Sequence, residues 1–189
     1  FFDNPYRGAK LLEREMSAGV VRETVSNLTL LSQLWSQARE HKRAIPVLQK
    51  VSIMADTGEL SYRLGQVLLA DEQYAASERA LTAALNKGGM TQNQTGDAWM
   101  LLGTARFSQA GPGERDKRAR AREAFVRAQN YANTRNQAAQ WVRYIDAIDQ
   151  TEKDQDALEK AQRLKARQDE IVRERQKLNV CRLQARPDE

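Results

Sequence analysis

One histidine and one cysteine are all that the chain offers toward metal or nucleophile chemistry. His41 stands in the basic stretch Arg39-Glu40-His41-Lys42-Arg43 and reads as an exposed turn residue between two helices. Cys181 has no second cysteine to pair with, and the usual Cys/His metal spacings cannot occur. No segment has the form of a phosphate-cradling glycine loop or a G-x-S-x-G nucleophile elbow. The 25 Asp and Glu residues include no pair set apart by spacing or apolar surroundings, which leaves general acid–base catalysis without an anchor. The residue types therefore predict no catalytic site, no metal, no cofactor and no small-molecule substrate. The remaining chemistry is recognition by amides, hydroxyls and large apolar side chains. Thr29, Gln33 and Ser36 form one candidate set, Tyr62, Gln66 and Leu69 a second, and Met100, Thr104 and Phe107 a third. Amides can bond an extended backbone, while Tyr62, Met100 and Phe107 can hold an apolar anchor, unless Met100 and Phe107 simply pack against a terminal helix.

Such side chains work together only if regular elements bring them to one wall. Gly and Pro number only 14 among 189 residues, and no β-branched or aromatic run alternates at period two, so the chain reads as all helix. Three internal segments align. The first runs Leu28-x2-Leu31-Ser32-x2-Trp35, then Ala44-x3-Leu48-x2-Val51; the second runs Ser61-x2-Leu64-Gly65-x2-Leu68, then Ser77-x3-Leu81-x2-Ala84. The third runs Trp99-x2-Leu102-Gly103, then Ala121-x3-Phe125-x2-Ala128. Each copies the tetratricopeptide pattern, and the 33 residues from Leu31 to Leu64 are close to its period. Apolar residues three and four apart make one stripe per helix, and Gly65, Gly103, Ala44 and Ala121 let paired backbones approach. The pattern predicts an all-α, tetratricopeptide-type right-handed solenoid of antiparallel helix pairs with a long C-terminal helix. The nine candidate residues, one position past the packing stripe of each first helix, would line its concave wall.

Residues 1–22 read as a helix of a truncated preceding repeat, with Pro5 at its start and Gly19 as its stop. Residues 23–133 hold the three repeats. Within them, Leu64 to Leu102 spans 38 residues, and the extra length is placed in the connection 86–96, with Gly88 or Gly89 ending one helix and Asp97 capping the next. A further insertion, near 108–116, carries Gly111-Pro112-Gly113 and must loop out of the third repeat. Residues 134–150 read as a helix capping the stack, with Ala138, Trp141, Val142, Ile145 and Ile148 on one face. Residues 151–189 form a basic charged helix and tail, with nine Lys/Arg against four Asp/Glu from Ala157 to Arg186. That segment has several readings. It is a solvated helix with pairs such as Glu159–Arg163 and Asp169–Arg173, standing free or lying back on the body, or a weak seam through 157–178, built on Ala157, Leu164, Ile171 and Leu178, for self-association or a helical partner, with disorder near Pro187 as the remaining reading.

The net charge of +5 is mild and its acidic residues are interspersed, so nucleic acid is an unfavoured partner. No apolar run of the length a membrane span needs is present, and a chain opening on Phe1 instead of Met reads as an excised or processed piece. Tetratricopeptide cochaperones that grip a chaperone's terminal carboxylate use cations and Asn on the wall. Thr29 and Gln33 occupy those places here and do not fit that branch.

A closer likeness rests on Tyr6-Arg7-Gly8-Ala9-Lys10-Leu11-Leu12-Glu13, Gly19-Val20-Val21, Thr24, Asn27, Leu31, Trp35-x2-Ala38-Arg39-Glu40 and Ala138-x2-Trp141-x2-Tyr144-Ile145. Over roughly residues 5–150 the chain resembles a proteobacterial tetratricopeptide family associated with TonB systems. The resemblance implies a periplasmic or cell-envelope scaffold, partnered by TonB/ExbB/ExbD-type proteins and assisting outer-membrane uptake, often of iron complexes. An adaptor or assembly factor unrelated to TonB, in cytoplasm or periplasm, would share every repeat feature.

Overall fold

The computed structural model of the chain describes residues 4–184, with side chains through 181. The described residues form eight α-helices and no strand: α1 (Pro5–Ser17), α2 (Val25–Gln37), α3 (His41–Met54), α4 (Glu59–Ala70), α5 (Tyr74–Lys87), α6 (Gln92–Ser108), α7 (Arg115–Ala128) and α8 (Arg135–Gln184). None of them is long and apolar enough to cross a membrane. The described chain divides after Ile145 into two units, so the first turns of α8 belong to the repeat stack and the rest to a second unit.

Within the first unit each helix packs on its sequence neighbours, with α2 on α3, α4 on α5 and α6 on α7 as the three pairs. The pairs close where small residues sit. A methyl added to Gly65 would lie 2.5 Å from the Leu81 side chain, and Ser77 donates a 2.8 Å hydrogen bond to the Gly65 carbonyl across the same crossing. Ala44 and Ala121 are fully buried at the equivalent places. Helix α1 packs on α2, with Tyr6 edge-on to Trp35 at 5.6 Å, and its Ala9 is buried as Ala44 is. Its start follows from sequence: Pro5 opens the helix, and the Asn4 side chain accepts a 3.0 Å bond from the Arg7 amide.

Three buried clusters overlap along the stack. The first joins α1 to α5 around Trp35, Leu48 and Leu64. The second joins α4 to α7 through Tyr62, Leu81 and Leu102, and the third joins α6 to α8 through Phe125, Ala138 and Ile145. Polar ties cross the repeats as well. Lys87 Nζ donates to the carbonyls of Ser52 and Ala55 at 2.7 and 2.8 Å, closing the end of α3 from α5. Glu78 of α5 accepts from Arg106 of α6 and from Gln109, both at 2.9 Å. Burial pushes the Glu78 carboxyl up. The bonds from Gln109 and Arg106, with the charges of Arg106 and Arg120, outweigh that and hold it below the ordinary carboxylate value.

The structure departs from the sequence reading at several places. Gly88, at φ 67°, stops α5 as expected, but the connection is short and Asp97 caps nothing. Thr91 and Gln94 form a capping box, each side chain accepting from the other's amide at 3.2 and 2.9 Å, so α6 nucleates at Gln92. The extra length is an added turn at the front of α6, where Gly96 lies against Tyr131 and Thr134. The Gly-Pro-Gly segment does loop out, between α6 and α7, yet half of the insertion lengthens the amino end of α7, which begins at Arg115, six residues ahead of Ala121. The loop is closed by Glu114, which accepts from the Gly111 amide at 2.7 Å. The expected boundary between 150 and 151 falls inside α8, because no Gly or Pro interrupts the run. His41 opens α3 instead of occupying a turn; it is half-buried, and its Nδ1 has no partner.

Candidate partner-binding wall

The first helices of the pairs carry the candidate residues. On α2, Thr29, Gln33 and Ser36 are half-buried beside the packing residues Leu28, Leu31 and Trp35. Gln33 and Ser36 meet Gln66 of α4 in an open cleft of about 280 Å³, together with Ser32, Gln37, Leu48, Arg63 and Val67. Thr29 lines an adjoining cleft of about 480 Å³ with Val25, Met54, Asp56 and Leu60. Arg63 lines both clefts, and its Nη2 reaches Glu59 at 2.8 Å. The side chains of Gln33, Ser36 and Gln37 spend no hydrogen bond on the described residues, so their donors and acceptors are open to an occupant.

The apolar candidates behave differently. Tyr62 is only 8% exposed, with its ring among Leu81, Ala84, Ala98 and Leu102. Its hydroxyl accepts from Gln66 Nε2 at 2.8 Å. Burial, then the Asp97 carboxylate, hold that phenol above its ordinary value despite the Gln66 bond. Met100 is buried against Ala121 and Phe125, and the Thr104 hydroxyl bonds back to the Met100 carbonyl at 3.0 Å. Leu69 is half-buried and lines neither cleft. Phe107 packs edge-on to Trp141 at 5.3 Å and lies 5.9 Å from Tyr144, while Phe125 stacks flat on Trp141 at 5.1 Å. Tyr62 and Met100 are thus core residues, and Phe107 joins an aromatic corner with the start of α8.

That corner extends the wall. Gln137, Trp141 and Tyr144 repeat the spacing of Tyr62, Gln66 and Leu69 and of Met100, Thr104 and Phe107, which makes the start of α8 a fourth first helix. Together with Gln140 they line a cleft of about 260 Å³, with Tyr144 53% exposed. In sequence the apolar stripe accounts for Trp141 by packing alone, and only the repeated spacing marks this row. Arg63 and Gln37 lie one residue beyond the candidate rows, so the same spacing does not mark them. Among the described residues, no three His, Cys, Asp or Glu side chains cluster to hold a metal ion.

Helix pairs of this length, crossing at Gly or Ala and stacked through their neighbours, define a tetratricopeptide-type solenoid. Solved structures of MamA share that fold. One MamA crystal structure superposes with a TM-score of 0.54 at 16% identity, covering 77% of this chain and 89% of MamA. MamA from AMB-1 gives 0.53 at 20% identity over 66% and 67% of the two chains, and MamA from Desulfovibrio magneticus RS-1 gives 0.52 at 18% over 78% and 86%. At these identities the likeness speaks for the fold alone. No family model and no curated protein sequence matches the chain.

Proposed function

We propose that this chain is a non-enzymatic protein-interaction scaffold that holds an extended segment of another protein along its first-helix face. The observation that carries this reading is the α2–α4 cleft, where Gln33, Ser36 and Gln37 are unspent and Gln66 and Arg63 face the same space. An extended backbone presents alternating N–H and C=O groups, and amide side chains can satisfy both. The aromatic corner of Phe107, Trp141 and Tyr144 supplies an apolar anchor at the other end of the same face. The finer reading is that the partner belongs to a TonB-dependent uptake system and that the scaffold works in the periplasm or envelope; it rests on the resemblance over residues 5–150.

The test is site-specific photocrosslinking in cells with mass spectrometry. A crosslinker at Gln66 or Tyr144 is expected to capture a shared partner that a crosslinker at exposed Val126 of α7 does not. Equal capture from Val126 would move the site off this face. Recovery of cytosolic partners only would sink the TonB reading while leaving the scaffold reading intact.

A further inference from the structure

The second unit carries a stripe of apolar side chains with nothing over them. Leu164, Ile171 and Leu178 are 55%, 44% and 65% exposed and recur every seven residues in an uninterrupted helix, with Ala157 one heptad earlier. Placed at the d positions of a heptad, they leave Ala161, Gln168 and Arg175 at a, Lys160, Arg167 and Glu174 at g, and Leu158, Lys165 and Val172 at e. A parallel pair would set Arg175 against its own copy and Lys160 against Lys165, with no opposite charges to offset them. An antiparallel pair brings every d residue against an a residue. Leu164 meets Arg175, Ile171 meets Gln168, and Leu178 meets Ala161, while Arg167 faces Glu174 on both sides of the two-fold axis. Slipping one heptad in one direction confronts Arg167 and Lys165 each with its own copy, which offsets the Lys160–Glu174 contacts that this slip makes. Slipping in the other confronts Glu174 with itself. Charge therefore selects one orientation and one register.

We propose that residues 157–181 form a weak antiparallel homodimer in this register, the occupant of the exposed stripe being a second copy of the same helix. The half-polar a layer makes the association concentration-dependent. The guanidinium of Arg175 can lie along Leu164 of the other copy and reach water, as long cationic side chains do.

The full chain is the sample. Sedimentation velocity over a concentration series is expected to show a monomer–dimer equilibrium. Arg167→Glu should weaken it about five-fold or more, because two opposite-charge contacts become like-charge ones. Arg167→Glu combined with Glu174→Arg should restore it, and circular dichroism should show unchanged helix throughout. Orientation has its own readout, since the antiparallel register places Lys160 of one copy beside Cys181 of the other. Oxidised Lys160→Cys should run as a disulfide-linked dimer, while the unaltered chain should not crosslink through Cys181, whose two copies lie about 30 Å apart along the axis. A monomer at all concentrations, failure of the charge reversal to restore association, or crosslinking of the unaltered chain through Cys181 would each overturn the proposal.

Discussion

At Gly103 an added methyl would meet the Phe125 ring at 2.6 Å, and that ring is held flat against Trp141. Gly65 has a similar clearance, 2.5 Å to Cγ of the buried Leu81, but that aliphatic side chain is not clamped by a stacked ring. The two glycines therefore differ in how much their surroundings can yield. Replacing a helical Gly by Ala gains about 1 kcal/mol of intrinsic propensity, whereas overpacking against a fixed ring costs about 1–3 kcal/mol. Gly103→Ala is expected to lose net stability, roughly 1 kcal/mol, in urea denaturation, and Gly65→Ala to lose less or none. Equal losses at both sites would deny the role given to the Phe125–Trp141 stack. The residue scale also shows what the sequence could not. The pattern places Tyr62, Met100 and Phe107 one position past the packing stripe of their helices. It could not say that neighbouring pairs close over Tyr62 and Met100, because that depends on the spacing between helices and not on position within one.

Between elements, the tie from Glu78 of α5 to Arg106 of α6 and to Gln109 joins the second repeat to the third. Its carboxylate is held below the ordinary value when folded, so its contribution is complete above the unfolded pKa and is lost as pH falls through the folded one. Glu78→Gln should therefore lower stability at neutral pH and make it less sensitive to acid across that window, as followed by urea midpoints in a pH series. A parallel shift of both proteins at every pH would show that the ionised form adds nothing. Element order, the α1 start, the Gly88 stop and the three pairs were legible because helical periodicity and small crossing residues are local signals. The start of α6 was misjudged because the capping box at Thr91 and Gln94 outweighs a lone acidic residue further on. The fourth wall row was missed for another reason: Trp141 both packs on Phe125 and faces outward toward Tyr144, and only the first role follows the apolar stripe.

Taken whole, the first unit is a stack in which each helix pair depends on the next for part of its closure. Lys87→Met keeps the aliphatic stem but removes the donor to Ser52 and Ala55, leaving the last carbonyls of α3 open. Loss of about 1 kcal/mol in hydrogen bonding there predicts roughly five-fold faster hydrogen exchange in the last turn of α3, with α2 unchanged. Uniform acceleration through α2 and α3 would instead mean that Lys87 supports the whole pair. The tie also sets an order in time. Lys87 follows Ala55 by 32 residues, so on the ribosome the end of α3 stays unclosed until that much more chain is made, about 2–6 s at ordinary rates of synthesis. A nascent chain of this protein closes its first repeat only after the second has been made, and any factor that shields the unfinished end of α3 would act one repeat behind the site of synthesis.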